Sequence, residues 1–169
     1  MNEIINSFNV YKDGTKLIGV SEEISIPDLT GVTDTISGAG ILGSISMPAI
    51  GHFDDIEAEI PFRMLDDDIF TLASPLNEVN LVLRAGVQTH DIASGGIDSQ
   101  GMRIVYRGRV KTFKSGKVKG AEQMGASVTL SITYMLIEIG GATKLELDKL
   151  NSKYVVNGVD VMEKFRGYC

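Results

Sequence analysis

Residues 127–139 read SVTLSITYMLIEI, and their alternation decides the fold. Val128, Leu130, Ile132 and Tyr134 fall on one side of an extended chain, and Ser127, Thr129, Ser131 and Thr133 on the other. Side chains of a strand point alternately to opposite faces, so this period of two marks a half-buried strand. The phase then changes, because Met135, Ile137 and Ile139 put apolar groups on the side that began with hydroxyls. A strand of this length would span roughly 43 Å, which is long for a small domain. Either a bulge reverses the faces, or another subunit covers the far end; the second is the expectation.

Working outward, the same period recurs. Residues 103–113, RIVYRGRVKTF, oppose Ile104, Tyr106 and Val110 to Arg103, Arg107, Arg109 and Lys111. Residues 79–90, VNLVLRAGVQTH, place Val79, Leu81, Leu83, Ala85 and Val87 together. Residues 55–63, DIEAEIPFR, set Ile56, Ala58, Ile60 and Phe62 against Asp55, Glu57, Glu59 and Arg63. Four such segments predict a mainly β protein. Helices are few. Asp66–Ser74 opens with three acids, which suit a helix N-terminus, and stops before Pro75. A second short helix is expected over Asp160–Arg166, with Val159, Met162 and Phe165 as a core-packing stripe.

The chain has 169 residues, 43% of them apolar, which suits a single globular domain spanning 1–169. No apolar run approaches the roughly 18 residues that a membrane-spanning helix needs. The opening MNEIINSFNVYKDG has no basic end followed by an apolar stretch, so no signal peptide is expected. The only cysteine is Cys169, which excludes an intrachain disulfide or a cysteine-held metal and suggests a reducing cytoplasm as the place of synthesis. Charge is lopsided: residues 1–98 hold 16 acids and 4 bases, a balance of −12, and residues 99–169 hold 6 acids and 12 bases, a balance of +6. Such halves attract each other, within one chain or head to tail between chains.

Residues 14–54 are different. GTKLIGVSEEISIPDL suggests a hairpin and an extended exit at Pro27. Thr30–Asp54 then reads as a long irregular segment rich in Gly, Ser, Thr and Asp, yet it carries Ile41, Leu42, Ile45, Met47, Ile50 and Phe53. A loop with that much apolar surface needs somewhere to bury it. Within it, GAGILG (38–43) has the Gly-x-Gly-x-x-Gly spacing of a dinucleotide loop. The context opposes that reading: no buried parallel strand precedes it, and Pro48 stands where a helix should run.

Catalytic machinery is thin. There are two histidines, His52 and His90, and the triple Ser44, His52 and Asp54 lacks a Gly-x-Ser-x-Gly elbow. No catalytic residue, cofactor site, metal site or small-molecule substrate is expected. The acids Asp66, Asp67 and Asp68 lack a calcium-loop spacing. Residues 103–119 form a basic ribbon, with Arg103, Arg107, Arg109, Lys111, Lys114, Lys117 and Lys119 and no acid. The ribbon could hold nucleic acid or another anion, which is the alternative function. It could equally face the acid-rich first part of its own or a neighbouring chain.

Several of these stretches together resemble one family. INSFNVYKDGTKLIGV (5–20), GAGILGSISMPAIGHFDDIEAEIPFR (38–63), VNLVLRAGVQ (79–88), VYRGRVK (105–111) and VVNGVDV (155–161) follow in order along nearly the whole chain. They resemble the major tail tube protein of contractile-tailed phages, a family that also supplies the tube of R-type bacteriocins (tailocins). The resemblance implies a structural protein, not an enzyme. Its fold would be an antiparallel β-sandwich or barrel with a short flanking helix, and its copies would join into a continuous β-barrel tube. Six copies would form a ring, and rings would stack head to tail inside a contractile sheath. Partners would be further copies of itself, the sheath protein, baseplate hub and tail terminator proteins, and a tape measure protein with or without DNA in the lumen. The particle would be a phage or tailocin tail made in the host bacterial cytoplasm.

The resemblance places a long inter-subunit or inter-ring loop at about 31–54. Its contact residues would be Gly38, Gly40, Ile41, Leu42, Gly43, Ile45, Met47, Pro48, Ile50 and Phe53, with the apolar ones buried only when a neighbour arrives. A wall for sliding DNA should not hold phosphate. The lumen is therefore expected to be lined either by Asp55, Glu57 and Glu59 or by Ser127, Thr129, Ser131 and Thr133. The basic face, Arg103, Arg107, Arg109 and Lys111, would meet acids between subunits or on the sheath side, which would make stacking salt-sensitive.

Overall fold

The structure, a computed structural model, describes residues 1–169 throughout. It is a mainly antiparallel β fold of eleven strands and two short helices. In chain order these are β1 (Asn2–Lys12), β2 (Thr15–Lys16), β3 (Gly31–Ser37), β4 (Ser44–Phe53), β5 (Glu57–Phe62), α1 (Asp67–Leu72), β6 (Val79–His90), β7 (Ile97–Lys114), β8 (Ala126–Ile139), β9 (Ala142–Asp148), β10 (Lys153–Val156), β11 (Val159–Asp160) and α2 (Glu163–Arg166). The main sheet runs β11-β10-β9-β8-β7-β6-β1-β2, and β5 adds to β8 beside this path.

The lower part of the sheet closes on itself. β5 pairs with the first half of β8, Glu57 opposite Ser131 and Phe62 opposite Ala126. At the far end of the sheet, the chain leaving β2 reaches back to β5. Ser21 N–H donates to the Pro61 carbonyl at 2.9 Å, and Arg63 N–H donates to the Gly19 carbonyl at 2.9 Å. The alternation read in the sequence points Ala58, Ile60 and Phe62 of β5, Leu81 and Leu83 of β6, Ile104 and Tyr106 of β7 and Val128, Leu130 and Ile132 of β8 into this barrel, where all are buried. Each of the Val, Leu, Ile and Phe side chains among them contributes about 1.5–3 kcal/mol by leaving water.

Helix α1 adds Ile69 and Leu72, both with no exposed surface. The three acids explain its start. The Asp66 carboxylate accepts from Ile69 N–H at 3.3 Å as the N-cap, and Asp68 accepts from Ile18 N–H at 2.7 Å, tying the helix to the barrel seam.

The phase change in β8 has a local cause. Arg107 stands opposite Tyr134 and Gly108 opposite Ile132, so Thr133 is an extra residue, a β-bulge. Beyond it the buried series passes from Ile132 to Met135. The far half of β8 is then paired by β9 of the same chain, Tyr134 opposite Asp148 and Ile139 opposite Ala142. The expectation that another subunit accounts for the reversed faces is thus corrected: a bulge reverses them.

Two further readings change. Thr30–Asp54 is not irregular: β3 and β4 pair as a separate two-stranded ribbon with GAGILG at its tip. At the C-terminus only Glu163–Arg166 is helical, and Val159 and Phe165 are exposed, so no core stripe forms. The 4-residue helix is too short to bury a face, and β10 and β11 take the preceding residues.

Gly108 lies where β7 crosses the bulge. A Cβ there would stand 2.1 Å from the Ser131 carbonyl oxygen, whereas one at Gly101 would meet nothing within 4 Å. Gly108→Ala should therefore lower stability by about 1–3 kcal/mol in urea unfolding, and Gly101→Ala should leave the midpoint nearly unchanged.

Candidate assembly surfaces

Two surfaces carry the residues singled out by the sequence. The first is the β3–β4 ribbon, an arm that stands away from the barrel. In its ladder Ile36 pairs with Ile45 and Asp34 with Met47, while Thr33, Thr35 and Ser37 pair with Pro48, Ser46 and Ser44. Directly opposed residues share a face. One face of the arm is thus apolar (Ile36, Ile45, Met47) apart from Asp34, and the other is rich in hydroxyls. Ile36, Ile45, Met47 and Ile50 are each 45–59% exposed, and Leu42 at the tip is fully exposed. Gly40 and Gly43 turn the tip with φ of +91° and +99°. Ser44 and His52 sit toward opposite ends of β4, so the triple with Asp54 does not assemble.

Phe53 departs from the expectation. It packs against the barrel core and meets Tyr154 edge to face, with ring centroids 5.1 Å apart. Phe53 therefore belongs to the arm's root and needs no neighbour to cover it. Tyr154, Met162 and Lys149, which hold the root, were not legible as its partners. For Tyr154 and Met162 the only signal is apolar character in a segment about a hundred residues away, and Lys149 offers none.

The second surface is the outward face of the sheet, opposite the core. Glu57 and Arg109 both stand opposite Ser131, and Glu59 stands opposite Thr129. The acids, the hydroxyls and the bases, expected on separate surfaces, share one. Lys111, itself a bulged residue, donates to Asp55 at 2.7 Å and also to Glu57. Ser131 Oγ donates to Asp55 at 2.8 Å. Lys114 lies 3.7 Å from Glu59, and Arg103 donates to Glu138 at 2.9 Å. The Arg107 guanidinium lies over the Tyr134 ring, 4.4 Å from its centroid.

Arg103 and Lys111, expected to meet acids between subunits, find acids in their own chain, as does Lys114. Arg109 and Lys117 make no ion pair in the chain. Among the hydroxyls, Ser127 is only 4% exposed and cannot line an open surface. Thr129, Ser131 and Thr133 are half-buried, and Thr133 Oγ1 donates to the Arg107 carbonyl at 3.3 Å.

A third feature is an open edge. β1 pairs with β6 along nearly its whole length, but on its other side only Tyr11 and Lys12 pair with a strand. The edge from Asn2 to Asn9 carries no strand. Exposed sheet edges template pairing with another chain.

A closed barrel that exposes an apolar arm and an unpaired strand edge has the surfaces of a protein that associates with other chains. A profile of the family described as phage tail tube protein FII matches residues 2–168, and the chain belongs to that family. It is 26% identical over 161 residues to the tail tube protein of Escherichia phage P2, covering 94% of this chain and 91% of that one. It is 24% identical over 151 residues to the major tail tube protein of Serratia phage KSP20, covering 89% and 85%. The fold is similar to that of the sheath/tube terminator of an extracellular contractile injection system in its extended state. The TM-score there is 0.54 at 12% identity, over 79% of this chain and 94% of that one. The protein is thus a structural component of a phage-type tail tube.

The Lys111 cluster makes a pH prediction. The hydrogen bonds from Lys111 and then Ser131 hold the Asp55 carboxyl below its ordinary 3.8, and the same acids hold the Lys111 ammonium above its ordinary 10.5. A carboxyl lowered by folding stabilises above its unfolded value and loses that contribution as pH falls through the folded one. A lysine raised by folding stabilises below its unfolded value and loses that contribution as pH rises through the folded one. The stability difference between the parent and Lys111→Met should be level near neutral pH. It should shrink below the ordinary carboxylate value and again above the ordinary lysine value. Because both groups are about half exposed, solvent screens the pair and its level should be modest. Urea titrations across pH measure it.

Proposed function

We propose that six copies of the chain close into a ring and that rings stack head to tail into the hollow inner tube of a contractile tail. The observation that carries this is the arm: a paired ribbon whose apolar face has nothing of its own chain over it. Burying such a face requires a second copy, and a contact between unlike surfaces propagates when it is repeated. Ile41, Leu42, Ile45, Met47 and Ile50 form this contact, with Gly38, Gly40, Gly43 and Pro48 shaping it and Phe53 anchoring it.

The open edge of β1 supports ring closure. β1, β6, β7 and β8 are adjacent strands of 11 to 18 residues. β8 has no free side left for a neighbour, because β5 and β9 of the same chain cover it, so a neighbouring copy would join the ring at β1.

The outward face of β8 and β5, with Thr129, Ser131 and Thr133 on the first, Glu57 and Glu59 on the second and Asp55 just before it, lines the lumen in this reading. The same face carries cations: Arg103, Lys111 and Lys114 are tied to carboxylates of the same chain, which lowers the positive charge offered to phosphate, while Arg107 and Arg109 form no ion pair. The sheath protein surrounds the tube, hub and terminator proteins close its ends, and a tape measure protein with or without DNA occupies it. The tube forms in the host bacterial cytoplasm as part of a phage or tailocin tail.

Negative-stain microscopy of the purified chain tests the reading. The parent should form hollow rods. Leu42→Asp puts a charge at the tip, and Gly40→Val forces a branched residue into a positive φ. Both should give folded subunits without rods. Normal rods from both variants would defeat the assignment of the arm.

A further inference from the structure

Regular pairing makes a two-stranded ribbon stiff along its length, but the ladder of the arm is broken at its root. Thr33 pairs with Pro48, and the next pair is Gly31 with Phe53, so Ala49, Ile50, Gly51 and His52 stand opposite Val32 alone. Backbone pairing across that gap cannot set the angle at which the arm leaves the barrel.

Side-chain contacts at the gap come from the C-terminal segment. Gly51, with φ of +75°, lies so close to Met162 that a Cβ there would stand 2.3 Å from its sulfur. Phe53 meets Tyr154 edge to face, and Lys149 Nζ donates to the Asp54 carbonyl at 2.9 Å. A groove of about 210 Å³ runs between Gly51–Phe53 on one side and Leu147, Tyr154 and Met162 on the other. The segment is itself braced. Met162 N–H donates to Asp160 Oδ1 at 3.0 Å, and Arg166 pairs with Asp160 and donates to the Ser152 carbonyl at 2.9 Å.

We propose that β10, β11 and α2 form a latch that seats the arm's root and sets its angle for docking, with Met162 and Tyr154 as positioning residues. The inference rests on the reading of the arm as the contact between copies. Met162 lies outside the buried core, so the latch is separable from the barrel's stability. A loosened arm spends less time at the docking angle, and assembly then requires a higher concentration.

The test uses the full chain with Cys169→Ser as background. Spin labels at Leu42→Cys on the tip and Leu76→Cys on the body, both exposed sites, report the arm's angle by pulsed dipolar spectroscopy of the dilute, unassembled subunit. Met162→Ala should broaden the distance distribution. Without labels, it should raise the critical concentration for rods several-fold at an unchanged unfolding midpoint. Phe165→Ser, on the same helix but facing solvent, should behave as the parent. An unchanged distribution in Met162→Ala would overturn the latch, and so would a broadened one with unchanged critical concentration. Normal rods from both Leu42→Asp and Gly40→Val would instead defeat the arm reading, and the dilute-subunit distances judge the angle independently of it.

Discussion

The structure depends on how one strand shares its edge. β8 offers one side to β7 along its whole length and divides the other between β5 and β9. The half given to β5 closes the barrel; the half given to β9 begins the extension that ends at the root of the arm. The two halves need opposite faces turned inward, which a regular strand cannot provide. The extra residue Thr133 supplies the reversal, and Gly108 supplies the room for it, since β7 passes there too close for any Cβ. Barrel, extension and arm placement follow from that one irregularity.

The body and the arm divide the physical tasks. The body buries a conventional apolar core within a single chain. The arm has backbone pairing but an uncovered apolar face, and a two-stranded ribbon alone is marginal in water. Stability thus comes from the body and association from the arm. The outward face of the sheet is quieter: Arg103, Lys111 and Lys114 pair with acids on neighbouring strands, and such exposed pairs add little stability. Their effect is to neutralise part of the charge a passing polyanion would meet.

Much of the fold was legible because period-two patterning survives in β5, β6, β7 and β8, each half-buried by its own chain. The capped start of α1 was legible because its acids act locally. The ribbon β3–β4 was not recognised as paired, since neither face meets a core and Gly, Ser and Thr dominate it. A sequence shows a phase change without showing which strand lies opposite, so it cannot choose between a bulge and a covering subunit. The charged residues were found, but their grouping was not. Whether Glu57 and Lys111 meet depends on both flanking β8, a fact of topology absent from either stretch. Phe53 was assigned to the interface because its partner Tyr154 lies far along the chain.

The two-faced arm also restricts how its length can vary. Its strands alternate side by side, Ile36 with Ile45 and Thr35 with Ser46. Losing or gaining one residue in either strand would turn every side chain beyond that point to the opposite face. The arm can therefore lengthen only in paired steps, two residues in each strand, and each step moves the tip by about 7 Å. Reach is quantised by the pleat, so variants of this ribbon can differ in span only by whole steps and not by continuous adjustment.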